Sequence, residues 1–212
     1  MTVSLIEHLT AHRLVAILRG GAGTQPGLLV AAIDTLVDAG VRALEVTLPT
    51  PGALAAIREA SRRYGDEVWV GAGTVLTADE VGQAASAGAR FVVSPDTNAG
   101  VLAAAHDHGM GSLPGAATPT EILSAYRLGA TAVKVFPARS LGGAEFVRDV
   151  LAPLPNVPLI AVGGVTLDSV EDYLAAGAVA LGIGSPLIGD ALAGGSLDAL
   201  GERARALVAS LS

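Results

Sequence analysis

Short apolar runs alternate with alanine-rich stretches of helical character from one end of the chain to the other. The runs are Leu14–Leu18, Ala43–Leu48, Val68–Gly73, Phe91–Ser94, Gly111–Pro114, Ala132–Phe136, Leu159–Val162 and Ala180–Gly184. They are predicted to be eight strands, β-rich in composition except the fifth, which rests on its spacing. Between them, Leu28–Ala39, Ala53–Tyr64, Glu80–Ala87, Val101–His108 and Ile122–Leu128 are predicted helices. Gly40, Gly65, Gly88, Gly109, Gly129 and Gly177 stand where helices end in a left-handed residue. Thr77-Ala78-Asp79-Glu80 and Thr118-Pro119-Thr120-Glu121 are capping boxes that start helices.

Strand, helix and glycine recurring about every 20–30 residues predict a single (β/α)8 TIM barrel, the α/β class with one parallel sheet closed on itself. At 212 residues the whole chain, 1–212, is expected to be one such domain. Residues 1–13 are expected to form an extra N-terminal helix closing the bottom of the barrel. The competing architecture is an open doubly wound sheet, with fewer strands and a glycine-rich phosphate loop after the first. The loop present, Gly20-Gly21-Ala22-Gly23, does not fit G-x-G-x-x-G, Gly71-Ala72-Gly73 fails where Leu76 stands, and no G-K-[ST] occurs. Nucleotide binding is therefore not expected.

Hydrophobic residues make up 51% and charged residues 16%, enough for a large core, while aromatics at 3% leave that core to Val, Leu, Ile and Ala. A formal net charge of −7 with no basic run argues against nucleic acid and anionic membranes as partners. The absence of cysteine excludes disulfides, zinc-thiolate sites and thiol nucleophiles. The start, Met1-Thr2-Val3-Ser4-Leu5-Ile6-Glu7-His8, is no signal sequence, and no segment approaches the roughly 18 apolar residues of a membrane span, so a cytoplasmic location is expected.

Two ionisable residues interrupt this apolar pattern. Lys134 is the only lysine, the other 12 of the 13 cationic side chains being arginine, and it lies in Thr131-Ala132-Val133-Lys134-Val135-Phe136-Pro137. A lysine, unlike an arginine, can lose its proton, and only the free amine attacks a carbonyl. From a reference pKa near ~10.4, deprotonation at pH 7 costs roughly 4–5 kcal/mol, a cost that burial in an apolar strand reduces. Glu45, in Ala43-Leu44-Glu45-Val46-Thr47-Leu48, is the second. An isolated buried carboxylate demands a partner or a raised pKa, and beside an amine it supplies the proton transfers that carbinolamine dehydration and C–C cleavage require. Both could instead be structural, Lys134 with a buried carboxylate and Glu45 in an ion pair with Arg19 or Lys134.

Catalytic groups of such barrels project from the C-terminal ends of the strands. Those ends carry Arg19, Glu45, Thr74, Ser94-Pro95, Pro114, Lys134, Gly163-Gly164 and Gly184-Ser185. The last two pairs follow strands 7 and 8, where backbone N–H groups commonly bind phosphate, and Ser185-Pro186 suits an N-cap with proline at N1. The alternative is that these glycines serve only tight turns. His8 and His12 share a helix face at the barrel bottom without a third ligand, and His106 and His108 end a helix. No metal site is expected, and without G-x-S-x-G neither is a serine hydrolase.

Taken together, Leu44-Glu45-Val46-Thr47, Val70-Gly71-Ala72-Gly73-Thr74-Val75, Ser94-Pro95, Leu113-Pro114-Gly115 with Thr118-Pro119, Val133-Lys134-Val135-Phe136-Pro137 and Val162-Gly163-Gly164-Val165 resemble the class I aldolases of 2-keto-3-deoxy-6-phosphogluconate, and the related 2-keto-3-deoxy-6-phosphogalactonate and 4-hydroxy-2-oxoglutarate aldolases. The likeness spans roughly residues 12–190. It implies a homotrimeric TIM barrel in which Lys134 forms a Schiff base with the 2-keto group and Glu45 is the acid/base acting through water. It further implies that Thr74, Pro95 and Phe136 line the pyruvyl pocket, and that Gly163, Gly164, Gly184 and Ser185 cradle the phosphate. Two positions depart from the phosphogluconate pattern. Thr47-Leu48-Pro49-Thr50 stands where those enzymes have Thr-Leu-Arg-Thr, and Val162 where they tend to carry Thr. Ile17-Leu18-Arg19-Gly20 and Val162 are more typical of the galactonate branch, and Arg19 is expected to take over carboxylate recognition that Pro49 cannot provide.

The favoured reading is a carbon–carbon lyase cleaving a phosphorylated 2-keto-3-deoxy sugar acid to pyruvate and glyceraldehyde 3-phosphate. The iminium acts as electron sink, so no cofactor is expected. The alternatives on the same barrel are a sugar-phosphate isomerase or epimerase, which needs no nucleophilic lysine, and a non-catalytic sugar-phosphate-binding protein.

Overall fold

A computed structural model of the chain describes residues 4–211. Nine parallel strands form one sheet: β1 (Leu14–Leu18), β2 (Ala43–Thr47), β3 (Trp69–Gly73), β4 (Phe91–Val93), β5 (Gly111–Leu113), β6 (Gly115–Ala116), β7 (Val133–Val135), β8 (Leu159–Val162) and β9 (Ala180–Ile183). Their order is β5-β4-β3-β2-β1-β9-β8-β7-β6, so the two edges are neighbouring pieces of chain separated by Pro114 alone. The ribbon curls round to meet itself there. Lys134 N–H donates to Pro114 O at 2.8 Å and Thr131 N–H to Ser112 O at 3.0 Å across the seam. The architecture is the expected eight-position TIM barrel.

The fifth expected strand, Gly111–Pro114, needs correction. It ends at Leu113 as β5, paired with β4, and an unexpected further strand, β6, follows Pro114 and pairs with β7. Pro114 has no N–H to give to a ladder, and the Gly115 N–H turns to Asp96 O at 3.1 Å instead.

The helices that follow the strands are α2 (Pro26–Asp38), α3 (Ala53–Tyr64), α4 (Ala78–Ser86), α5 (Ala99–Asp107), α6 (Pro119–Arg127), α7 (Gly143–Leu151), α8 (Val170–Ala175), α9 (Ser185–Ile188) and α10 (Leu197–Ser210). Both predicted capping boxes form: Thr77 Oγ1 accepts from Glu80 N while the Glu80 carboxylate accepts from Thr77 N, and Thr118 and Glu121 repeat the exchange. All six predicted helix-ending glycines have positive φ. At Gly40 (φ 97°) the turn is closed by Gly40 N–H to Val37 O and Val41 N–H to Leu36 O, each 3.0 Å.

Residues alternate between two cores, as period 2 requires. The outward face of the strands packs under the helices, with Val133 and Val135 fully buried there. The inward face fills the barrel with Val15, Ile17, Trp69, Phe91, Val93, Leu113, Ile160 and Val162. Phe91 is completely buried, worth about 1.5–3 kcal/mol, and fits because Gly71 on β3 leaves the space its ring occupies. The expected N-terminal helix is α1 (Leu5–His12), whose Leu5 and Leu9 join this inner core from below. Residues 1–3 of that expectation lie outside the described residues. A Cβ at Gly111 would sit 2.3 Å from Leu5 Cδ2, so the plug is seated against bare backbone. α1 thus covers the bottom of the barrel. Among the described residues no helix is long and apolar enough to cross a membrane.

Candidate active site

Lys134 occupies the centre of β7 and is only 4% exposed. Its neighbours Val133 and Val135 point out into the helix layer, so alternation turns the lysine into the barrel beside Ala132 and Phe136. Its Nζ lies 4.6 Å from the centroid of the Phe136 ring. Glu45, 1% exposed, enters from β2, level with Ile17 of β1 and Gly71 of β3. Its carboxylate lies over Gly73: a Cβ on that glycine would come within 1.9 Å of Glu45 Oε1. The Gly71-Ala72-Gly73 run thus makes room for Phe91 with its first glycine and for the carboxylate with its second.

Neither charge is neutralised by contact. Among the described residues no salt bridge joins Glu45, Lys134 or Arg19, and the three interact through their charges without such a contact. The ion-pair alternatives for both residues therefore lack the contact they require. Burial raises the Glu45 pKa above the usual carboxylate range, a rise that the positive charges of Lys134 and Arg19 partly offset. Burial likewise lowers the Lys134 pKa, with Glu45 opposing and Arg19 adding to the fall. Both groups are moved toward their neutral forms.

Thr74, at the end of β3, adopts φ 57°, a left-handed conformation costly for a β-branched residue. Pro95 follows β4; its carbonyl crosses so close to β6 that a Cβ at Gly115 would lie 2.1 Å away. Gly163 (φ 93°) and Gly164 (φ 77°) follow β8, and a Cβ at Gly164 would meet Arg139 Cβ at 2.5 Å. Their N–H groups, and that of Ser185, find no acceptor among the described residues. The predicted capping role of Ser185 is corrected: Gly184 is the N-cap and Ser185 the first residue of α9, with no side-chain cap bond. Gly184 adopts φ −100°, ψ −110°, which glycine reaches most easily, and this moves the helix start by one residue.

A cavity of about 550 Å³ opens at this mouth. It is lined by Arg19, Phe136, Val162, Gly163, Gly164, Gly184 and Ser185, together with Gly20, Gly21, Thr24, Ile188 and Leu192. Lys134, Glu45, Thr74 and Pro95 are not in its lining. Lys134 lies two residues before Phe136, a lining residue, and its Nζ is 4.6 Å from the centroid of that ring. The structure therefore gathers the cation and glycine pairs around one space and sets the two buried ionisable groups in the barrel below. The lining from the β1–α2 loop and from Ile188 and Leu192 was not legible in the sequence, because loop glycines and scattered apolar residues carry no pattern of their own. At the opposite end, His8 Nε2 bonds to Arg42 O at 2.9 Å and its ring lies 4.4 Å from that of His12. Among the described residues no group of three His, Asp or Glu side chains could hold a metal.

A lone, desolvated lysine with a buried carboxylate in the interior of a (β/α)8 barrel is the equipment that Schiff-base chemistry, the chemistry of the class I aldolases, uses. The family model for KDPG and KHG aldolase matches residues 5–201. The 2-dehydro-3-deoxy-6-phosphogalactonate aldolase of Escherichia coli K12 is 35% identical over 92% of both chains. A native KDPGal structure superposes with a TM-score of 0.86 at 34% identity, covering 93% of each chain. The KDPG aldolase of Legionella pneumophila, with pyruvate captured as a covalent carbinolamine, superposes at 0.86 with 25% identity over 98% of this chain and 99% of that one. The chain belongs to the KDPG and KHG aldolase family and is a class I aldolase, a carbon–carbon lyase.

Proposed function

We propose that the protein cleaves 2-keto-3-deoxy-6-phosphogalactonate to pyruvate and glyceraldehyde 3-phosphate, with Lys134 as the nucleophile. The observation that carries the chemistry is the single lysine, desolvated inside the barrel with its pKa lowered and Glu45 nearby. The free Lys134 amine adds to the 2-keto carbon. Glu45, held protonated more readily than a surface carboxylate, gives the proton that lets the carbinolamine lose water. The resulting iminium draws the electrons of the C3–C4 bond, and the C4 hydroxyl proton passes through water to the Glu45 carboxylate as the aldehyde leaves. The enamine takes a proton at C3, and hydrolysis returns the amine and pyruvate. Iminium formation requires no cofactor.

Around this centre, Thr74, Pro95 and Phe136 bound the pyruvyl group, and Arg19 meets the carboxylate. The backbone N–H groups of Gly163, Gly164 and Ser185, with Gly184 shaping the loop, receive the phosphate. The preference for the galactonate epimer is supported by Val162, which presents an apolar wall to the cavity where a hydroxyl-bearing residue would offer a hydrogen bond. The absence of a cation at Pro49 and the likeness to the Escherichia coli galactonate enzyme support it as well. Pyruvate-release kinetics on both 6-phosphate epimers test this. A higher kcat/KM for the galactonate epimer is expected, and a gluconate preference of tenfold or more would overturn it.

The resemblance in sequence also supports a cytoplasmic homotrimer. Exposed Leu76, Tyr126 and Leu128 are large apolar side chains of the kind that a subunit interface covers. Light scattering is expected to return three times the 21.0 kDa chain mass.

A further inference from the structure

We propose that Thr50 is a positioning residue for Arg19, acting through the backbone of the β1–α2 loop. This role rests on the reading of Arg19 as the cation for the substrate carboxylate. Arg19 is exposed, and among the described residues no salt bridge holds its guanidinium. Glu45 attracts it without a contact, so its placement is set by the main chain that carries it. The next residue, Gly20, donates its N–H to Thr50 Oγ1 at 3.0 Å. Thr50 Oγ1 is also 2.9 Å from Thr47 Oγ1, a buried bond, and Thr50 is itself 2% exposed. Thr47 lies on β2 on the same face as Glu45, two residues further on, so the chain of bonds runs from the barrel interior to the backbone beside Arg19.

Two further features make this tie decisive for the loop. The Thr47–Thr50 turn is rigid in its own right, closed by Thr50 N–H to Thr47 O at 2.9 Å with Pro49 inside it. On the other side, Thr24 Oγ1 donates to Leu192 O at 3.1 Å and packs so closely on Gly20 that a Cβ there would lie 2.4 Å from it. The loop is thus pinned at both ends, and the Thr50 bond is the pin next to the guanidinium. Replacing the hydroxyl by a methyl of the same shape leaves the half-buried Gly20 N–H and the Thr47 hydroxyl without this partner, so the segment carrying Arg19 is free to drift from the cavity rim.

The test compares Thr50→Val, Thr50→Ser, Arg19→Gln and the Thr50→Val/Arg19→Gln double variant for kcat and KM on the phosphorylated substrate. Thr50→Val is expected to raise KM about tenfold, the equivalent of ~1.4 kcal/mol, with kcat within about twofold of wild type. Thr50→Ser, which keeps the hydroxyl, is expected to restore KM. In the double variant the Thr50 change should add nothing to the Arg19 effect, because the two act as one unit. An unchanged KM in Thr50→Val overturns the proposal, as do effects that multiply independently in the double variant. So does a joint fall of kcat and melting temperature that Thr50→Ser does not rescue. Trapping of pyruvate on wild-type Lys134 separates the two levels: with trapping intact, these failures remove only the Thr50 role, whereas without trapping the site reading itself fails.

Discussion

At the scale of single residues, the site is unfavourable to the fold that holds it. Glu45 has a folded pKa raised by burial, so its contribution to stability is fully present below the unfolded value of 4.5 and is lost as pH rises through the folded value. Lys134 has a folded pKa lowered by burial, so its contribution is present above 10.5 and is lost as pH falls through the folded value. Near pH 7 both therefore detract from stability. Glu45→Gln is accordingly expected to gain stability relative to wild type as pH rises above 4.5. Urea unfolding at a series of pH values measures this, and a difference independent of pH would show that the carboxylate is not desolvated. Gly73 offers a second test. Gly73→Ala must displace the Glu45 carboxylate, which approaches the position of the new methyl to 1.9 Å, at a cost of about 1–3 kcal/mol. In a Glu45→Ala background most of that cost should vanish, and equal costs in both backgrounds would mean that the glycine serves something other than the carboxylate.

At the scale of elements, the barrel was legible because its signals are local and repeated. Alternating apolar runs, two capping boxes and six positive-φ glycines each report their own element. The fifth strand was legible in position from its spacing, but the expectation from sequence ran through Pro114 and missed the separate strand that follows and pairs with β7. Lys134 and Glu45 stood out because a charge in an apolar run is rare. The Thr47–Thr50–Gly20 chain of bonds was hidden, because threonines near a turn are ordinary and their partner is 30 residues away in sequence. The strained backbone at Thr74 was hidden for the same reason, as φ is not written in residue type. The plug helix α1 carries its own prediction. Leu9 is completely buried among the inner-core residues, so Leu9→Ala should lower unfolding free energy by about 2–5 kcal/mol. A loss below half a kcal/mol in chemical denaturation would mean that α1 rests on the barrel without completing its core.

At the scale of the whole molecule, the barrel is covered below by α1 and carries its cavity of about 550 Å³ at the other end. The floor is built by α1, the depth by alternation along eight strand positions, and the mouth by the loops that follow them. What distinguishes this barrel from others of the same shape is one buried amine in its interior, and the central claim is that this amine forms the covalent intermediate. Lys134 is the only lysine among 212 residues, which leaves the N-terminal amine as the sole other primary amine able to form an imine. The direct measurement is incubation with pyruvate, reduction with borohydride, and mass spectrometry of the intact chain and its peptides. One reduced pyruvyl group on the peptide containing Lys134 is the predicted result, with labelling rising with pH through a midpoint below 10.5. An unmodified Lys134, together with lyase activity that survives in Lys134→Ala, would contradict the account.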